Sequence, residues 1–180
     1  MKKVIFILLF LSLSATAAPV TVELVDGRTV QINDDGTWDL VVQSQWSDEY
    51  IQVDVRGWIK EKKPLNEDHS VSFSRPDSGS YFSVMNENLD ADINAYTNLL
   101  KKAWSDNMED FKVEKTVPFK LKNRSHIQMH VSGRVEGVRF FYVATIFSRQ
   151  DGFSTLIGWT GSKASISDIE NLRFKTTLRK

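Results

Sequence analysis

The sequence predicts an α+β protein: an antiparallel β-sheet with one long helix and a C-terminal helix, preceded by an N-terminal β-meander. Three observations carry this reading. Most of the chain alternates apolar and polar residues with period two. One stretch, residues 88–107, switches to a spacing of three and four. Turn signals rich in Gly, Asp and Pro separate the alternating runs. Helices set apart from an antiparallel sheet make the α+β class.

The elements follow in order. In "VTVELV" (20–25), Val20, Val22 and Leu24 share one face; in "RTVQI" (28–32), Val30 and Ile32 share another. Asp26-Gly27 between them is a hairpin signal, because a type I′ turn needs positive φ at both central residues. "NDDG" then turns the chain into a third strand, "TWDLVV", completing the meander. Residues 50–60, "YIQVDVRGWIK", alternate with Ile51, Val53 and Val55 inward; "EKKPLNED" reads as a loop. "VSFS" and "YFSVM" flank the turn "RPDSG".

In the long helix Leu89, Ile93, Tyr96, Leu100, Ala103 and Trp104 form the apolar stripe, and Asn86 or Asn88 is the expected cap. "FKVEKTVPFKLK" alternates around Pro118, as an edge strand would. "HIQMHVSGRV" points Ile127, Met129 and Val131 one way and His126, Gln128 and His130 the other. Glu136-Gly137 turns the chain into "VRFFYVATIF", which is apolar on both faces and so reads as a central strand. Asp151-Gly152 turns it again into "FSTLIGWTG", and "SKASISDIENLRF" closes as a short helix with Ile166, Ile169 and Leu172 inward.

The N-terminus reads as a leader. Lys2 and Lys3 precede the apolar run "VIFILLFLSL", and Ala15 and Ala17 stand where a signal peptidase expects small residues. The run is well short of the roughly 20 residues a spanning helix needs. The expected organisation is a signal peptide over 1–17, the meander over 18–45 and one further domain over 46–180. The chain has no cysteine. That excludes disulfides, thiol catalysis, thiolate metal sites and a lipid-anchoring cysteine. Export without disulfides points to the periplasm of a bacterial envelope. Charge is balanced, 23 basic against 23 acidic residues. A nucleic-acid binder would be clearly basic, so no nucleic-acid partner is expected. No membrane span is expected once the leader is removed.

From about residue 69 onward, the element order resembles the PsbP/DcrB-like family. It is carried by a hairpin with a proline turn ("SFSRPDSGSYFSV"), a long helix ("LDADINAYTNLLKKAW"), antiparallel strands ("SHIQMHVSGRVEGVRFFYVATIFSRQDGFSTLIGW") and a closing helix. The resemblance implies an α/β/α sandwich and a non-catalytic accessory or binding role. It carries over no site residue. The segment "DGRTVQINDDGTW" is similar to one that recurs in exported bacterial proteins of unknown function.

Catalytic patterns are missing from the letters. There is no G-x-S-x-G elbow, no S-x-x-K, no phosphate loop and no H-E-x-x-H. His126 and His130 are four apart on one strand, which puts their Cα atoms about 13 Å apart, too far for one ion. They read as exposed strand histidines. "NDDGTW" lacks the alternating oxygen ligands and the distal Glu of a calcium loop, so it reads as a turn. No catalytic, cofactor-binding or metal residue is assigned, and no cofactor is expected.

Two features are candidate surfaces. Lys112, Lys115, Lys120, Lys122 and Arg124 cluster in sequence, which reads either as a solvated sheet face whose lysines discourage edge pairing or as a meeting point for an acidic partner or anionic lipid. Trp58, opposite Ile51, Val53 and Val55 by parity, is the second candidate for a binding surface, against the more usual packing of a tryptophan in a core or between domains. Trp38 is expected to pack the meander against another surface. The expected function is that of a non-catalytic periplasmic accessory protein that binds another envelope protein. The alternatives are a carrier of a small apolar ligand or lipid between helix and sheet, and a hydrolase with a dispersed site.

Overall fold

A computed structural model describes residues 20–23, 29–33, 35–41 and 44–179. The leader over 1–17 and the Asp26-Gly27 turn lie outside the described residues. The chain is mostly antiparallel sheet with two helices, an α+β protein.

The meander forms as expected: β1 (Val20–Glu23), β2 (Thr29–Ile32) and β3 (Trp38–Val41) make a sheet of their own. Its register differs from the expectation in one respect. Val20 pairs with Ile32, Val22 with Val30, and Ile32 with Trp38. Directly opposed residues share a face, so these apolar side chains stand on one side of the meander rather than two.

β4 (Gln45–Ser47) and β5 (Ile51–Asp54) follow, then β6 (Ile59–Lys60), β7 (Val71–Arg75) and β8 (Ser80–Glu87). Helix α1 (Ile93–Asn107) leads into β9 (Glu109–Leu121), β10 (Arg124–Val135), β11 (Val138–Ser148) and β12 (Phe153–Thr160). Helix α2 (Ile166–Glu170), a 3-10 turn (Asn171–Lys175) and β13 (Thr176–Leu178) close the chain. The large sheet runs β6-β7-β8-β12-β11-β10-β9, with antiparallel neighbours throughout. A small sheet runs β13-β5-β4.

Helix α1 starts later than the periodicity suggests. Asp92 is its cap, and its carboxylate accepts from the backbone N–H groups of Asn94 and Ala95. Acceptance of two orphan donors at once is what a capping carboxylate offers that neither Asn86 nor Asn88 reaches from strand and loop. Leu89 accordingly precedes the helix. The rest of the stripe holds: Tyr96 is buried, and Ile93, Leu100 and Trp104 pack beside it. Tyr96 stacks on Phe153 at 4.1 Å, and its hydroxyl donates to Glu87.

α1 covers one face of the large sheet, over Ile127, Met129 and Ile146. The other face carries Phe73, Phe82, Val84, Val143, Phe147 and Leu156. The small sheet covers it with Ile51, Val53 and Leu178, and α2 adds Ile169. The turns at Lys122-Asn123 and Glu136-Gly137 have positive φ at both residues, as two-residue hairpin loops require.

Gly158 lets α2 sit directly on β12: a Cβ there would lie 2.0 Å from Ile169 Cγ2. Gly152 is tighter still. Its φ is +148°, and a Cβ would meet the Glu87 carbonyl oxygen at 2.0 Å. Backbone cannot step aside as a side chain can. Gly152→Ala is therefore expected to cost roughly 2–4 kcal/mol. Thermal unfolding should show a fall in Tm of roughly 5–15 °C.

Candidate functional site

The five cations grouped in the sequence do not form one patch. Neighbours along a strand alternate faces, so the β9–β10 register decides where each one goes. Lys112 opposes Ser132 and Lys115 opposes His130, which places both on the α2 side. Lys120 opposes Ser125 and lies on the α1 side. Lys122 sits in the hairpin turn and donates from Nζ to the Leu178 carbonyl at 2.6 Å. Arg124 lines a cavity at the start of α1. Lys112 and Lys115 instead gather with residues from the end of the chain. Lys163 acts with Lys112 on Glu114, and Arg173 acts with Lys115 on His130. No sequence period links those segments, so the grouping was not readable from the letters.

Trp58 is in the core, 5% exposed, and not on a binding surface. Its ring meets Phe82 edge-on at 4.7 Å. The parity argument failed because the strand stops at Asp54. Trp58 N–H closes a turn onto the Val55 carbonyl around Gly57, which has φ +80°, and this resets the alternation. Trp38 departs in the other direction. It is 67% exposed and packs the meander against nothing in the described chain. With Val20, Val22 and Ile32, all exposed, it makes an apolar strip on the face that also carries the buried Val30.

Both strand histidines are buried rather than exposed. His126 is 0% exposed between Phe119 and Phe147. Its Nδ1 accepts from the Ser148 backbone N–H at 2.9 Å, and its Nε2 faces the Leu121 carbonyl at 3.1 Å. Nδ1 is thus the acceptor and Nε2 the donor, which fixes the neutral tautomer. His130 lies 3.3 Å from Glu170 through Nδ1, and its Nε2 is buried without a partner. A period-two pattern cannot show that a polar face is covered by a second layer.

The "NDDG" turn consumes its own oxygens. Asp35 accepts from the backbone N–H of Thr37 at 2.9 Å and from its hydroxyl at 2.6 Å. The Thr37 hydroxyl bond, above all, holds the Asp35 carboxyl below its ordinary range. Asp34 lies outside the described residues. Among the described residues no three His, Asp or Glu side chains converge as a metal ion requires.

The cavity has a volume of about 440 Å³ and is bounded by Leu89, Asp92, Arg124, Asp151, Gly152 and Phe153. Its wall includes Arg149, whose side chain is only 3% exposed. That guanidinium stacks on the Tyr50 ring at 3.4 Å and donates from Nη2 to the Glu87 carbonyl and to Asn88 Oδ1. Arg149 thus ties the β11–β12 turn to the end of β8. Asp90, Asp92 and Asp151 share the wall with Leu89, Ile93 and Phe153, so the cavity presents charged and apolar surface together.

The layout of sheet and helices is shared with solved structures. Cyanobacterial PsbP from Synechocystis superposes with a TM-score of 0.56 at 11% identity, over 74% of this chain and 91% of that one. The fold is PsbP-like. A Bacteroides thetaiotaomicron protein matches with a TM-score of 0.50 at 12% identity, over 78% of this chain and 50% of its own. A protein of unknown function from Pseudomonas aeruginosa matches at 0.44 and 14% identity, over 86% of this chain and 90% of its own. No family model matches the sequence, and no curated protein matches it. At these identities the likeness speaks of the PsbP-like fold alone.

The buried histidines give the fold a pH dependence. Burial pushes His126 and His130 below the ordinary 6.5, with Glu170 opposing at His130 and the Leu121 carbonyl at His126. In the unfolded chain both titrate normally. The unfolded state therefore binds more protons as pH falls below 6.5, and folded stability declines from that point downward. Above 6.5 this contribution is complete. Thermal unfolding is expected to show Tm falling between about pH 7 and pH 5, with a shallower fall in His130→Gln. A Tm flat across that range would contradict the assignment of both rings as neutral.

Proposed function

We propose that the chain is an exported, non-catalytic accessory protein that works by binding another protein of the bacterial envelope. The exposed apolar strip on the meander supports this reading most directly. Val20, Val22, Ile32 and Trp38 share one face, and Trp38 keeps 67% of its surface in water. Tryptophan is enriched at binding hot spots, and an exposed apolar strip is what a partner covers.

The leader-like N-terminus supports export, and among the described residues no helix is long and apolar enough to cross a membrane. On this reading residues 1–17 are removed, residues 18–45 present the docking strip, and residues 46–180 form a supporting α/β/α sandwich that works in the periplasm. An apolar-ligand carrier is less well supported. The space between α1 and the sheet is filled by Tyr96, Phe153, Ile146 and Met129.

The test is affinity capture from an envelope extract with the tagged mature chain and with Trp38→Ala. The wild type is expected to enrich one partner, and the variant to weaken its binding roughly tenfold or more. Tm should move little, because an exposed side chain away from the core changes stability by only about 0.5 kcal/mol. Equal capture by both proteins would remove the strip from the interface. Turnover of a substrate with no partner enriched would end the accessory reading.

A further inference from the structure

Phe174 is 73% exposed, the most exposed large apolar side chain among the described residues. It is not on a loose segment. It lies in the 3-10 turn Asn171–Lys175, whose Leu172 is buried in the main core. Thr176 follows at once, donates its hydroxyl to the Leu172 carbonyl at 2.7 Å, and pairs with Val53. The turn is therefore pinned on both sides of Phe174, and the ring is held outward.

Cations surround it. Arg173 and Lys175 are its chain neighbours, and the Arg173 guanidinium lies 4.4 Å from the Phe174 ring and 5.7 Å from Phe119 of β9. Lys115 stands on the same side of β9, close enough that its charge and that of Arg173 both act on His130. Lys112 and Lys163 flank Glu114 further along. The carboxylates that meet these cations are engaged. Glu114 accepts from Lys112 and from the Ser132 hydroxyl, each at 2.8 Å, and Glu170 stands 3.3 Å from His130. Asp54, which feels Lys175, is held by Arg56. Cations thus outnumber anions here, although the chain as a whole is balanced at 23 against 23. The excess is local.

We infer that the face carrying Lys112, Lys115, Lys163, Arg173, Phe174 and Lys175 docks onto an anionic lipid surface. The headgroups supply the negative charge this face lacks, at about 1 kcal/mol for each Lys or Arg that reaches them. Phe174 enters the boundary between headgroups and acyl chains, as aromatic side chains do in interfacial segments. The lysine stems lie along the surface with their ammonium groups in the headgroup layer. A protein partner fits less well. Protein interfaces are poor in lysine at their centre and take an aromatic anchor into a pocket, whereas here a single ring projects from a lysine-rich field. The docking strip on the meander is a separate feature, so the two surfaces are independently testable.

The experiment is co-sedimentation of the mature chain with phosphatidylcholine vesicles, with and without roughly 30% phosphatidylglycerol. Binding is expected only to the anionic vesicles and should fall steeply as salt is raised toward about 1 M, where screening is short-ranged. Phe174→Ala should weaken it roughly five- to tenfold, from loss of part of one buried aromatic, while Phe174→Trp restores it. Lys115→Gln with Lys175→Gln should abolish most of it at unchanged Tm, both being exposed. Trp38→Ala should bind vesicles like the wild type. The inference is overturned by equal binding to neutral vesicles, by no binding to anionic ones, or by charge variants that bind normally. It is also overturned if these variants lose an acidic protein partner while vesicles never bind, which would reassign the face to that protein.

Discussion

β10, β11, β12 and β8 have buried side chains on both of their faces, and a sheet covered twice needs two separate layers to cover it. One layer comes from a single local element, α1, whose stripe meets Ile127, Met129 and Ile146. The other is assembled from pieces far apart in the chain. Ile51 and Val53 come from β5, Ile169 from α2 and Leu178 from β13. Phe73 and Phe82 stack at 4.7 Å beneath them, with Trp58 edge-on to Phe82. Removing either layer would expose apolar side chains that no other element can reach, at roughly 1.5–3 kcal/mol for each large one.

Double covering also dictates the polar chemistry inside. The face of β10 under α2 carries His126, Gln128 and His130, and buried polar groups must find partners. Gln128 donates to Thr145 and to the Glu170 carbonyl, binding the end of α2 to the sheet. His126 joins the ends of β9 and β11 through its two ring nitrogens. These contacts hold the elements in position. The exposed chemistry is pushed to the rim: the meander strip, the cationic turn around Phe174, and the cavity held by Arg149.

Local signals in the sequence were reliable for most turns and strands. Glu136-Gly137 and Asp151-Gly152 turn the chain where their residue types allow it. Pro118 lies in β9 at the sheet edge, where its missing N–H costs no ladder bond. The meander's strands and most of the α1 stripe follow from period alone. The misreadings have two origins, local turns and caps that the period does not show and partners distant in sequence. β5 pairs with β13, a three-residue strand more than a hundred positions away, and no pattern in either segment names the other. The turn at Val55–Trp58 broke the parity that seemed to expose Trp58. Alternation showed that His126 and His130 shared a face but not that this face was roofed. The basic cluster was contiguous in sequence yet divided by the same alternation, and the cations that complete it come from beyond β12.

The position of β13 has a consequence for how the molecule is made. A chain that emerges N-terminus first makes β5 early, but its ladder partner arrives only with Thr176–Leu178. Until then the layer over the large sheet lacks its last strand and Leu178, and the core is incomplete. Contacts of such long sequence separation are slow to form, because the intervening loop must be closed first. While the last residues are withheld, β5 keeps an unpaired edge, and an open edge is a template for pairing with another strand.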